Sequence, residues 1–192
     1  MAKEDIHVLM LPWSAFGHMI PFFHLSIALA KAGICISFVS TPSNLRRVPT
    51  HLIPPDLPAP LDLVELHLPP VDGLPIGGEA TVNISVDQIQ HLKTAYDLLK
   101  PQLKHFISHD TPDWIIQDFA SHWTAEISQS STSTSLSSCS SSSLLPRAPS
   151  WVHQSTSLVL PRLNTGRPLN LSHLRQSGSL FHPLLKCLTL PG

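Results

Sequence analysis

His18 and Asp118 are the two residues of this sequence whose types and settings suit a proton transfer. His18 ends Ser14-Ala15-Phe16-Gly17-His18, a short loop behind an apolar run at residues 6–11. Asp118 ends Asp113-Trp114-Ile115-Ile116-Gln117-Asp118, where two isoleucines precede the carboxylate. A neutral imidazole can take a proton from a hydroxyl. A carboxylate that accepts the other imidazole N–H holds the ring in one tautomer and stabilises its protonated form. Near a helix N-terminus the backbone dipole disfavours the cation, which keeps a neutral base available. Each residue also has a plainer reading when taken alone. His18 can simply cap a helix, and Asp118 can simply cap the turn after a strand. The chemistry requires the two to meet in space.

Their meeting depends on the elements that carry them. Residues 6–11 are apolar apart from His7, the pattern of an internal parallel strand buried on both faces. Residues 12–17 make a turn. A helix follows, with Pro21 in its first turn, an apolar face of Leu25, Ala28, Leu29 and Ala32, and Gly33 as its stop. Residues 34–39 read as a second strand, with Cys35 as a buried thiol. The first 40 residues therefore form one β-α-β unit, expected to be right-handed. A third strand is expected over 61–68, after a loop stiffened by Pro54, Pro55, Pro58 and Pro60, and residues 71–79 read as a loop. Ile89, Leu92, Tyr96, Leu99, Leu103 and Phe106 step by threes and fours, a long amphipathic helix that Pro101 kinks or divides. Residues 113–118 form the next strand, and 123–127 begin a further helix. His18 and Asp118 then lie beyond the carboxyl ends of two parallel strands, on the edge where open α/β sheets bind ligands.

The first loop has neither the G-x-G-x-x-G nor the G-x-x-x-x-G-K-[ST] pattern, so it is not built to cradle a pyrophosphate. Its Gly17 lets the backbone approach a ligand closely. A net charge of −1 gives no case for nucleic acid or a membrane surface as partner. No apolar run approaches the ~20 residues of a spanning helix. The run behind Lys3, Glu4 and Asp5 breaks at Pro12, too short for a secretory signal, so the cytoplasm is the expected compartment. Cys35, Cys139 and Cys187 are too far apart for a disulfide framework or a zinc knuckle. His105 and His109, four apart with Asp110 beside them, could hold a metal. No further ligand set accompanies them, and histidines late in a helix suit its dipole, so no metal site is expected.

The chain changes character near Gln129. Up to Glu126 there are thirteen acidic residues and seven basic ones; from Ile127 to Gly192 there are five basic residues and no acidic one, where ordinary composition would supply roughly eight acidic ones. The change opens with a run over 130–143 of ten serines and two threonines. Residues 130–192 are a disordered, low-complexity tail or the product of a shifted reading frame. Reading the third base of each codon with the first two of the next, Trp151-Val152-His153-Gln154-Ser155-Thr156-Ser157 permits Gly-Pro-Pro-Glu-Tyr-Leu, which restores a missing glutamate. Residues 1–129 form the folded unit.

In combination these stretches resemble the plant UDP-sugar-dependent glycosyltransferases. The block Leu11-Pro-Trp-Ser-Ala-Phe-Gly-His-Met-Ile-Pro-Phe-Phe-His-Leu-Ser-Ile-Ala-Leu-Ala-Lys-Ala-Gly is similar to that family's N-terminal signature. So are Phe38-Val-Ser-Thr-Pro-Ser-Asn, Leu98-Leu-Lys-Pro-Gln-Leu and Pro112-Asp-Trp-Ile-Ile-Gln-Asp-Phe. The branch most resembled includes rhamnosyltransferases that act on flavonoid or terpenoid glycosides. The resemblance covers residues 6–129 and implies an α/β fold, a Rossmann-like parallel sheet forming part of the N-terminal, acceptor-binding lobe of a GT-B enzyme. It places the catalytic histidine on His18 and its partner aspartate on Asp118, with Ser14, Phe16, Gly17 and His18 at the substrate. It implies no cofactor, UDP-sugar as co-substrate and a small hydrophobic hydroxyl-bearing acceptor. The family binds UDP-sugar mainly through a second lobe with a His-Cys-Gly-Trp-Asn-Ser run, and these 192 residues contain none. The expectation is therefore a truncated chain that keeps the dyad but does not turn over UDP-sugar. A non-catalytic half-lobe that binds small molecules, or a non-functional product, are the alternatives.

Overall fold

The computed structural model describes residues 6–121, Trp123, Thr124, Ile127 and two short strands at Ser137–Ser138 and Val159–Leu160. Apart from those strands, the tail expected over 130–192 lies outside the described residues. In chain order the strands are β1 (His7–Leu11), β2 (Cys35–Ser40), β3 (Leu61–Glu65), β4 (Trp114–Gln117), β5 (Ser137–Ser138) and β6 (Val159–Leu160). The helices are α1 (Phe16–Lys31), the single turn α2 (Pro42–Leu45), α3 (Ile89–Asp97) and α4 (Lys100–Asp110). The sheet order is β3-β2-β1-β4-β6-β5. The first four strands are parallel, and β6 joins β4 antiparallel at Gln117↔Val159.

β1 is central and covered on both faces, which is why it carries no polar alternation. Val8 and Met10 face one core with Phe22, Phe23, Ile36, Phe38 and Ile116. Leu9 and Leu11 face the other, with Leu92, Tyr96, Leu103 and Ile115. Phe23 of α1 meets Phe38 of β2 edge to face, ring centroids 5.3 Å apart. Full burial of each such side chain is worth roughly 1.5–3 kcal/mol.

Helix α1 differs from the reading in two respects. It begins at Phe16, so Pro21 stands inside it rather than in its first turn. The turn closes early, with the His18 and Met19 N–H groups both donating to the Ala15 carbonyl at 2.9 Å. Its buried residues include Met19, Phe22, Phe23, Ser26 and Ala30, while Ala32 is exposed at the C-cap and Ala28 is half-buried. A helix sunk this deeply shows no narrow apolar stripe. Its end is as read. Gly33 has φ +84°, its N–H donates to Ala30 O at 3.0 Å, and Ile34 N–H donates to Leu29 O at 3.2 Å, the paired bonds of a Schellman stop.

The third strand stops at Glu65 rather than at residue 68. Its ladder partner among the described residues, β2, ends at Ser40, and Leu66 N–H takes the last bond to Ser40 O at 2.9 Å. The long amphipathic stretch is two helices, since Pro101 has no N–H to continue the ladder. Cys35 is half-buried, not buried, because it opens β2 at the sheet's rim. Of the helix expected over 123–127, Thr124 and Ile127 are described, and both are helical.

Candidate functional site

Chain order runs from β1 outward through β2 to β3, then returns to place β4 on the far side of β1. The direction of winding reverses between β1 and β4, and loops leaving those two strands part to form a crevice. His18 follows β1 and Asp118 follows β4. Register brings them level, with Leu11 opposite Gln117. The Asp118 N–H continues that ladder to Leu11 O at 3.3 Å.

His18 Nδ1 lies 2.6 Å from Asp118 Oδ2. A carboxylate oxygen accepts and cannot donate, so Nδ1 carries the hydrogen, and in the neutral ring the lone pair is on Nε2. The Asp118 side chain is wholly buried, whereas that of His18 is 19% exposed. A reactant can thus reach the imidazole but not the carboxylate. The Trp13 N–H donates to the same Asp118 oxygen at 3.4 Å. A second histidine–serine–aspartate grouping lies at the opposite end of the strands. There His7 Nε2 is 2.8 Å from Ser37 Oγ, but the Asp113 carboxylate accepts from the His7 main-chain N–H at 2.8 Å. That carboxylate does not orient a ring nitrogen, so the grouping ties strands together rather than forming a proton relay.

The other residues of this loop differ in exposure and partners. Ser14 is buried, and its carbonyl accepts from Thr81 N–H at 3.0 Å. Phe16 is half-buried and carries the Arg47 guanidinium 4.3 Å from its ring centroid. Arg47 Nη1 also donates to Asn83 Oδ1 at 2.9 Å. Gly17 is exposed, and a Cβ built there would meet nothing within 4 Å. Glu79 secures the neighbouring loop, accepting from Ser43 N–H at 3.0 Å through its carboxylate and from Asn44 Nδ2 at 3.0 Å through its carbonyl. Arg47, Glu79 and Asn83 escape sequence reasoning because their partners lie about 35 residues away, in segments too short to show a period. Tyr96 escapes in part. Its place on the apolar face is legible, but the partners of its hydroxyl are not, although a buried phenol regularly has one.

The histidine pair of α4 does not converge. His109 Nδ1 is 3.6 Å from Asp110 Oδ2, with both residues exposed. Among the described residues no three His, Cys, Asp or Glu side chains gather for a metal. A groove of ≈ 660 Å³ lies between the end of β3 and α4, lined by Leu66, Gln102, His105 and Phe106 among others, and none of the dyad residues faces it. No helix among the described residues is long and apolar enough to cross a membrane.

No protein-family model matches the chain. UDP-glycosyltransferase 91C1 of Arabidopsis thaliana is 45% identical over 125 residues, 65% of this chain and 27% of that protein. Over about two thirds of its length this chain is similar to plant UDP-glycosyltransferases. Soyasaponin III rhamnosyltransferase of Glycine max is 37% identical over 127 residues, 66% of this chain and 26% of its own length. The fold agrees. Arabidopsis thaliana UGT89C1 complexed with UDP-L-rhamnose matches with a TM-score of 0.59 at 25% identity, covering 67% of this chain and 34% of that one. The same protein complexed with quercetin matches with a TM-score of 0.55 at 26% identity, covering 66% and 33%. The parallel sheet with its helices is that of the N-terminal lobe of these GT-B glycosyltransferases. The chain spans about a quarter of the length of the curated UDP-glycosyltransferases it matches.

Proposed function

We propose that residues 6–129 form the acceptor-side half of an inverting UDP-sugar transferase, with His18 as general base and Asp118 as its partner. The 2.6 Å bond between them at the β1–β4 crevice carries this reading. The acceptor hydroxyl gives its proton to His18 Nε2. Its oxygen forms a bond to the anomeric carbon as the bond from that carbon to UDP breaks, and UDP departs with the electron pair. Attack opposite the leaving group inverts the anomeric centre. The imidazolium is stabilised by Asp118 until it releases the proton to solvent. Such a base contributes ~10²–10⁴ in rate. Positioning and stabilisation of the UDP leaving group must supply the rest.

The acceptor is a small hydrophobic hydroxyl compound, a flavonoid or terpenoid or its glycoside. Support comes from the naming of a soyasaponin rhamnosyltransferase among the relatives and from the quercetin complex of a structural neighbour. Ser14, Phe16 and Gly17 accompany His18 at the acceptor. The test is a chimera in which residues 6–129 replace the matching segment of UDP-glycosyltransferase 91C1. Sugar transfer is expected from the chimera, and His18→Ala or Asp118→Asn should each lower kcat by about 10²–10⁴. Full turnover by the His18→Ala chimera would end the reading.

A further inference from the structure

We propose that Tyr96 is a positioning residue for the His18–Asp118 pair, acting through the peptide plane between Pro12 and Trp13. The inference rests on the reading of His18 as a base and extends it to a residue outside the crevice. Tyr96 stands on α3 and is buried. Its hydroxyl donates to Pro12 O at 3.0 Å. A carbonyl only accepts, so the phenol hydrogen is committed there. The Ser121 hydroxyl, 3.0 Å away, must then donate to the phenol oxygen. One oxygen therefore joins the loop that leaves β1 to the turn that follows Asp118.

The Pro12 carbonyl and the Trp13 N–H belong to one planar trans unit and point in opposite directions. Tyr96 holds the carbonyl end. The other end donates to Asp118 Oδ2, the oxygen that accepts from His18. Rotation of this plane would withdraw that N–H and loosen the carboxylate. The Ser121 N–H donates to the Asp118 carbonyl at 3.3 Å, so the same hydroxyl network also steadies Asp118 from its own main chain. The Trp13 ring packs edge-on against the Tyr96 ring, centroids 5.0 Å apart, which holds the two in register without the hydroxyl. Burial pushes the phenol ionisation well above its ordinary range, so it remains a donor throughout the working pH range.

Tyr96→Phe removes the hydroxyl and keeps the ring. The readout is the His18 Nδ1–H signal in nitrogen-resolved NMR of the 192-residue chain, assigned with His18→Ala. Solvent exchange of that proton is expected to be about tenfold faster in Tyr96→Phe, the loss of one buried hydrogen bond. Tyr96 is the one tyrosine of the chain. Growth on 3-fluorotyrosine therefore alters this phenol alone, at nearly constant volume, and should also displace the His18 signal should the phenylalanine variant not fold. A lowered Tm with the His18 signal unmoved would reduce Tyr96 to a packing residue and overturn the proposal. Because no turnover enters the readout, failure of the base assignment shows separately, as full activity of the His18→Ala chimera.

Discussion

Gly17 and His18 illustrate how much one residue's setting decides. At position 17 a Cβ would meet nothing within 4 Å of protein, and alanine is the better helix former by about 1 kcal/mol. Gly17→Ala should therefore leave the chain as stable as before or slightly more so. In the chimera it should raise KM for the acceptor severalfold if the open space is where the acceptor rests. Thermal denaturation beside acceptor saturation curves checks both halves, and an unchanged KM would remove Gly17 from the binding surface. His18 was legible as a candidate from its place in the loop. Asp118 was legible only as a carboxylate at a strand end. Neither residue's sequence neighbourhood states the 2.6 Å between them, because that distance spans 100 positions of chain.

Helix α1 carries the proposed base in its first turn, so its two ends have different work. The N-terminal turn has no side-chain cap, and Ala15 serves through its carbonyl. The C-terminal stop depends on Gly33 at φ +84°, where no heavy atom would obstruct a Cβ. The penalty for a side chain there is purely backbone strain, about 1–2 kcal/mol. Gly33→Ala should lower unfolding free energy by that amount in a denaturant titration while leaving the His18 Nδ1–H signal in place. Loss of the signal would mean that the stop and the site are mechanically coupled. The glycine stop and the Pro101 break were readable because both act through fixed local geometry. The early start of α1 was not, since Pro21 fits a first turn or a later one by sequence alone. The end of β3 was not readable either, because the length of its partner strand sets it.

At the scale of the whole molecule, the proposed function gives this chain the base side of a two-sided reaction. It aligns with about a quarter of the length of the curated proteins it matches, and the sequence contains no His-Cys-Gly-Trp-Asn-Ser run. A radiolabel assay of the purified 192-residue chain with UDP-sugar and a flavonoid glycoside is expected to give no transfer above buffer. Clear transfer would show that these residues bind the donor by themselves. The proposal of two parts divided near Gln129 rests on composition, with acidic residues ending at Glu126 and the serine run opening at Ser130.

By itself the sequence determined the kinds of element, their order, the two-faced burial of β1 and the resemblance to plant glycosyltransferases. These follow from local periodicity, from residues with restricted backbones and from motifs that lie within short stretches. Only the tertiary structure decided that β4 returns beside β1, that Tyr96 grips the Pro12–Trp13 peptide, and that one carboxylate oxygen serves both Trp13 and His18. Strand order and side-chain meeting across 100 residues depend on how the faces pack, and packing is a property of the assembled layers rather than of any segment.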